Sequence, residues 1–377
     1  MKIGNLDITN PKIGTTPINK VYIGANQVWP NIVNEFIFQI DTSLGDGLNT
    51  FDFNPGHYTA GSIDYVIDWG DSSTTTVTTN TNSIHTYSSS GVYDIKVFIT
   101  SGISNYDLNQ FRCPDYLKVV DVKNWGSYSG ATFYQSFRGS RLIVSAIDEL
   151  QSISGNFSEC FYACPNITGV KIKNPINLTN TFRYCGSFIG TGLETCNVEN
   201  VISFESCFQQ SSINVDLSNW VNYKGLTYKS MFRGVSSYTY GLDNLVQPDT
   251  LGADCSTMFY QASFNPDVSN WNTLNVDTFR SFLLLNSSFV SDLSNFNIEN
   301  AWTLQQMFQS NPLTDSLYQS YLISWTGWNG TTATKTLQNN VPAHFHNAKY
   351  ELGGQSEDVR NYLINTLGWT ITDGGGI

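Results

Sequence analysis

Charge is scarce in this sequence. Of its 377 residues, 13% are Asp, Glu, Lys or Arg, about half the share in a typical soluble domain. Nineteen basic residues face 31 acidic ones, a net charge of −12. On that balance no basic patch is expected, which argues against nucleic acid and against an anionic membrane surface as partners. No run of 18 apolar residues occurs, so no transmembrane helix and no membrane insertion are expected. The start, Met1-Lys2-Ile3-Gly4-Asn5, lacks an apolar signal core. There is no CxxC pair, so a zinc ribbon or redox motif is not expected, and the odd number of seven cysteines leaves at least one free thiol. Four histidines supply little general-base chemistry. No Ser-His-Asp constellation, P-loop or dinucleotide fingerprint appears. The chain reads as no enzyme, with no cofactor and no metal.

What fills the gap is Asn, Ser and Thr, with Asn near one residue in ten. Hydrophobic residues at 40% and aromatics at 14% are enough for a packed core. Low charge with many uncharged polar residues and Tyr suits an extracellular or virion protein. Without a secretion signal, that composition points to a phage structural protein released by lysis.

Four regions separate. Residues 1–32 are short β-like runs, with two strands around the Gly24-Ala25-Asn26 turn within Ile13 to Pro30. They resemble N-terminal segments of phage tail, fibre and other virion proteins. A hairpin this small needs a neighbour: a docking partner, or the next domain. Residues 33–102 alternate apolar and polar residues as a β-sandwich does. Trp69-Gly70-Asp71, His85-Thr86-Tyr87 and Gly91-Val92-Tyr93 resemble the immunoglobulin-like PKD domain, which implies a β-sandwich serving as a spacer or binding module. Trp69, Asp71 and Tyr87 are then structural, Trp69 between the sheets and the Tyr87 hydroxyl on a backbone partner.

Residues 103–312 repeat. Phe recurs at 137, 161, 182, 208, 232, 259, 282 and 308, about every 24 residues. The residue before it is usually small or soft, and the one four before is mostly large. This spacing predicts a short helical turn. A second ladder has apolar Val122, Ile147, Ile172, Val198, Leu217, Leu242, Val268 and Leu293 pointing inward from short strands. Asn follows two later at Asn124, Asn174, Asn200, Asn219, Asn244, Asn270 and Asn295, read as buried structural amides. Glu149 breaks that ladder, which predicts an irregular unit. The period implies a leucine-rich-repeat-type solenoid with a parallel sheet. Asp267-Val268-Ser269-Asn270-Trp271 and Thr257-Met258-Phe259-Tyr260 resemble the BspA-like surface-protein repeats of bacteria and phages. That resemblance implies adhesion or recognition and brings no catalytic residues. Residues 313–377 predict helices near 317–325 and 357–367 and a strand after Gly368, resembling the C-terminal cap of such repeats. The fold class expected is mainly β with short helical turns: N-terminal β segment, Ig-like sandwich, solenoid and small α/β cap.

For binding, the residues flanking the inward strand positions form an exposed face: Asp121, Lys123, Asp148, Lys171, Lys173, Glu199, Asp216, Asp243, Asp267 and Asp292. Tyr134, Tyr162, Tyr184 and Tyr260 stack on sugars or pack between coils. Cys160, Cys164, Cys185 and Cys207 sit at packing positions and read as core. His344 and His346 share one side of a strand and either hold a metal across a symmetry axis or form a surface pair. The expectation is a virion protein, such as a tail fibre, baseplate appendage or head decoration. It attaches to a host-surface glycan or protein, contacts other virion proteins through residues 1–32, and has scope to self-associate. The alternatives are a bacterial surface adhesin and, third, a glycan depolymerase.

Overall fold

The computed structural model describes six short strands within residues 1–34, then residues 35–53, 64–77, 83–101, 115–126, 129–130, 132–152 and 154–377. Cys113 and the Gly24-Ala25 turn lie outside the described residues. The protein is mainly β, with two α-helices among the described residues.

The first six strands make three antiparallel pairs: β1 (Lys2–Ile3) with β2 (Leu6–Asp7), β3 (Lys12–Ile13) with β4 (Thr16–Pro17), and β5 (Val21–Ile23) with β6 (Asn26–Trp29). Next come β7 (Phe36–Asp41), β8 (Thr50–Phe53), β9 (Asp64–Asp68), β10 (Thr74–Val77), β11 (Ser83–Thr86) and β12 (Val92–Ser101). Alternate residues of β7 (Phe36, Phe38, Ile40), β9 (Tyr65, Ile67) and β12 (Ile95, Val97) are buried, the period of two expected for strands with one covered face. The cover is the β11–β8 pair, whose Phe51 and Phe53 rings lie 5.9 Å from Phe38. Gly70 turns the chain after β9 at φ +80°, and a Cβ there would lie 2.6 Å from the Asp94 carbonyl oxygen. Only glycine satisfies both demands.

The larger sheet does not stop at residue 102. Its order is β10-β9-β12-β7-β13-β15, where β13 is Val119–Asn124 and β15 is Ile143–Val144. β13 runs antiparallel to β7 and parallel to β15. One sheet therefore crosses the expected 102/103 boundary. Side chains lock the crossing. Lys123 pairs with Asp94 at 2.7 Å, and the Asn124 amide donates to the Glu35 carbonyl at 2.7 Å. Lys118, fully buried, reaches Asp46 at 2.7 Å, Asp115 at 3.0 Å and the Thr50 carbonyl at 2.8 Å.

From residue 132 onward the repeat units lie side by side in parallel. β14 (Ser129–Gly130), β16 (Leu150–Ser152) and β17 (Ile172–Lys173) form one parallel sheet. Single parallel bridges carry the ladder through Asn177, Ser203, Thr227 and Asp254. β18 (Ala253–Asp254) and β19 (Val276–Thr278) continue it. The amides of Phe137, Phe161, Phe182, Phe208, Phe232, Phe259 and Leu283 each donate to a carbonyl of the next unit at 2.8–3.1 Å. Their rings stack, with successive centroids of Phe137, Phe161, Phe182 and Phe208 5.5–5.9 Å apart and the ring planes nearly parallel. Leu283, not Phe282, occupies the repeat position in its unit. Phe282 takes the preceding one, where Met258 and Met307 sit in the neighbouring units.

The expected helical turn is not a helix. Two residues per unit adopt left-handed φ: Gln135 (+58°) and Gly139 (+76°) in the first unit, Ser206 (+54°) and Gln210 (+53°) in the fourth, Thr257 (+55°) and Gln261 (+56°) in the sixth. Each left-handed residue closes a tight turn, as in Ser136 N–H to Phe133 C=O, and sends its own N–H to the next unit. A helix would keep those donors to itself, whereas here they join the units. The second ladder is buried at Val122, Ile172, Val198, Leu217, Leu242, Val268 and Leu293. Ile147 is the correction, 84% exposed. In its unit the Asp148 carboxylate accepts from the Trp125 and Gly126 amides instead, and Leu150 supplies the buried side chain.

The chain ends with α1 (Asp315–Thr326), β20 (Pro342–His344), α2 (Gln355–Asn365) and β21 (Thr370–Thr372), with β20 parallel to β21. The Thr314 hydroxyl caps α1 by accepting from Leu317 N–H, and left-handed Gly327 ends it. Tyr321 and Trp325 of α1 and Phe345 pack on Phe308, the last ring of the stack. No helix of the described residues is long and apolar enough to cross a membrane.

Candidate functional site

Trp69, Asp71, His85 and Tyr87 form one cluster at an end of the first sheets. Trp69 is buried, stacks on the His85 ring at 4.8 Å and donates from Nε1 to Thr75. The Tyr87 hydroxyl donates to the Trp69 carbonyl at 3.1 Å. His85 Nε2 meets Asp71 Oδ2 at 2.8 Å. Partial desolvation opposes ionisation of Asp71, but hydrogen bonds from Ser73 and His85 outweigh it and hold its carboxyl down at about 2. The Asp71 carboxylate, the Trp69 Nε1–H, the Tyr87 hydroxyl and His85 Nε2 are thus all engaged within the cluster and its turn.

The expected strand face dissolves into turns. Asp216, Asp267 and Asp292 are exposed, and each accepts from the backbone N–H two residues on, at 2.8–2.9 Å. They open Asx turns rather than project from strands. Asn174, Asn200, Asn219, Asn270 and Asn295 are exposed and Asn244 is half-buried. Most of them occupy the turn's central positions, where Asn is favoured, so the expected ladder of buried amides is absent there. Asn124 alone of the seven has a described side-chain bond to backbone, to Glu35. Buried amides occur instead at Asn222, Asn286 and Asn311. Asn222 donates to the Val198 and Val201 carbonyls at 2.7 and 2.8 Å and accepts from the Tyr228 hydroxyl. Asn286 and Asn311 fall three residues after the repeat position, in the column that Ser140, Cys164, Cys185, Ser211 and Ala262 fill in other units.

Asp121 is buried and accepts from Ser145, which removes it from any exposed face. Lys123 is engaged with Asp94 and Asp148 with backbone amides. Lys171 donates to the Ile147 carbonyl, and Lys173 is exposed. Asp243 is half-buried, and burial followed by the charges of Asp267 and Asp216 raises its carboxyl above the ordinary range. The four aspartates from 216 to 292 thus make an acidic ridge, one per unit.

Two open grooves flank the units. One of about 580 Å³ is lined by Glu194, Cys196, Asn197, Glu199, Asn219 and Tyr223. The other, about 210 Å³, is lined by Val144, Ile147, Gly169, Lys171 and Thr191. Cys160, Cys164, Cys185, Cys196, Cys207 and Cys255 are free and buried, and burial pushes their thiols up. His344 is half-buried, its imidazole held below the ordinary value by burial and then by His346, which accepts from Ser310 N–H. Among the described residues no group of three or more His, Cys, Asp or Glu is placed to hold a metal ion.

One surface was not foreseen. The residue after the repeat ring is Arg138, Tyr162, Arg183, Gln209, Arg233 and Tyr260 in successive units, so this column lies along one face. The Arg138 guanidinium lies 4.5 Å from the Tyr162 ring centre, Arg183 4.7 Å from Tyr184, and Arg233 4.6 Å from Tyr260. A chain of net charge −12 therefore carries a local cationic stripe, contrary to the expectation from composition. The signal was present as Phe-Arg at 137, 182 and 232.

Residues 151–251 and 252–346, just over half of the chain, match the model of a family described as Mycoplasma protein of unknown function, DUF285. The chain belongs to that family. No curated protein and no solved structure matches it.

Proposed function

We propose that the protein is a non-enzymatic surface-recognition protein, in which residues 33–102 are a PKD-like sandwich and the repeats a leucine-rich-repeat-type solenoid of BspA-like kind closed by a C-terminal cap. The observation that carries this reading is the parallel stacking of the units. Stacking displays equivalent side chains in columns, and such columns suit an extended ligand. Recognition is multivalent, each unit adding a weak contact. In the first version the carrier is a virion, with residues 1–32 docking the chain to other virion proteins and the repeats facing a host-surface glycan or protein. The second version, a bacterial surface adhesin, is favoured by the family's description through a bacterial genus. Both share the recognition step.

The test is retention of the labelled full-length chain on candidate bacterial cells. Saturable retention is expected, strengthened when the chain is displayed in several copies. No retention even in multivalent form contradicts the reading and leaves a purely structural role.

A further inference from the structure

We infer that the Arg–Tyr stripe is a binding site for an acidic polysaccharide, one carrying a carboxylate on alternate sugars. The inference rests on the surface-recognition reading and names its ligand class.

Three features of the stripe support it. First, the guanidiniums are held flat. Arg138 and Arg183 both approach Tyr162, at 4.5 and 6.0 Å, and Arg183 and Arg233 lie against Tyr184 and Tyr260. A guanidinium stacked by its face keeps its N–H edge for a ligand, and the fork of that edge matches a carboxylate. Second, two of the three stripe cations lack a counter-charge, Arg183 donating only to neutral groups, from Nη1 to Asn180 Oδ1 at 3.1 Å and from Nη2 to the Tyr184 hydroxyl at 2.9 Å. Arg138 is paired with Glu159, and Lys229 lies 3.6 Å from Glu205. Among the described residues, no carboxylate lies within ion-pair distance of Arg183, Arg233 or the exposed Arg280 in a neighbouring column. Arg183 Nε is buried from water and has no hydrogen-bond partner.

Third, the spacing selects the polymer. Arginines recur on every second unit, two ring-to-ring steps of 5.5–5.9 Å apart. A nucleic-acid strand carries a charge about every 3.4 Å, too dense for this ladder, whereas a polysaccharide with one acid per disaccharide places its charges about as sparsely. Beside the arginines stand groups suited to sugar hydroxyls and sugar faces: the exposed Gln210 and Gln261, with the rings of Tyr134 and Tyr184 36% and 39% exposed. The acidic ridge from Asp216 to Asp292 lies in other columns and would repel the same polymer, so the ligand has one side on which to lie.

The experiment measures binding of the full-length chain to hyaluronate, whose carboxylates fall on alternate sugars, with dextran and poly(glycerol phosphate) alongside. Hyaluronate should bind in a salt-sensitive manner and dextran at least tenfold more weakly. Arg183→Gln/Arg233→Gln should weaken binding tenfold or more with an unchanged circular dichroism spectrum and melting temperature. Arg183→Lys, which keeps the charge and loses the fork, should fail to match the native chain. Tyr162→Leu, which removes the platform, should weaken binding several-fold. Four results overturn the inference: no binding of hyaluronate, tighter binding of poly(glycerol phosphate), full binding by the double Gln variant, or a self-associated chain that the double variant dissociates. The last would assign the stripe to the acidic ridge of a second copy. Cells retained equally by the native chain and the double variant would overturn this inference while leaving surface recognition standing. Loss of both cell and polymer binding would overturn the two together.

Discussion

Leu285 is 45% exposed and holds φ at +59°. An L-residue in that region costs about 1–2 kcal/mol, and the equivalent positions in the first and fifth units are Gly139 and Gly234. Leu285→Gly should therefore stabilise the protein by about 0.5–1 kcal/mol after glycine's larger unfolded-state entropy is deducted. Urea unfolding checks this, with a higher midpoint and an unchanged slope expected. A lower midpoint would mean that the Leu285 side chain contributes more packing than its backbone costs. The same residues show why the turn was not legible. Gln, Glu, Ser, Thr and Leu carry no left-handed preference, so only the i, i+3, i+4 spacing remained, and that spacing fits a helix equally well. The asparagines misled for a related reason. Their recurrence is real, but Asn recurs where turns need it, and the amides that are buried, Asn222, Asn286 and Asn311, fall in other columns, which Cys, Ser, Ala, Thr or Val fill in neighbouring units.

At the scale of elements, β13 decides the architecture. It belongs by sequence to the repeats and by hydrogen bonding to the sheet of β7 and β12. Lys118 sits just before it, buried against Asp115 and reaching Asp46. Burial alone would lower its pKa, but the hydrogen bonds it donates to Asp46 and Asp115 more than offset that and raise it. A raised cation stabilises the fold at all pH values below its unfolded pKa, and that contribution fades as pH climbs through the folded value. Lys118→Met leaves Asp115 buried without its cation and should destabilise by about 3–5 kcal/mol. Adding Asp115→Asn, which removes the stranded charge and keeps an acceptor for the Asp52 amide, should recover most of that loss in chemical denaturation. An effect below 1 kcal/mol for Lys118→Met would show that the joint does not depend on this ion pair. The crossing sheet was not visible in the sequence, because β7 and β13 are some 80 residues apart and nothing local records which strand edge each one meets.

Across the whole molecule, the stacked ring core was legible and the Arg–Tyr stripe was not. A core column repeats because each unit must bury the same face, so Phe recurs at a fixed interval. Surface columns carry no such constraint, and the total charge conceals a local stripe of arginines. The three surfaces that compete for the recognition role each carry an exposed tyrosine. Tyr134 and Tyr184 mark the Arg–Tyr stripe, Tyr223 the larger groove, and Tyr240 stands beside Tyr238, whose pKa the charges of Asp216 and Asp243 help to raise after burial. The most direct measurement is therefore hydroxyl-radical footprinting of the full-length chain, free and bound to cells that retain it. The account predicts that Tyr134 and Tyr184 lose reactivity on binding while Tyr223 and Tyr240 keep theirs. Protection of Tyr223 or Tyr240 with Tyr134 and Tyr184 unchanged would contradict it.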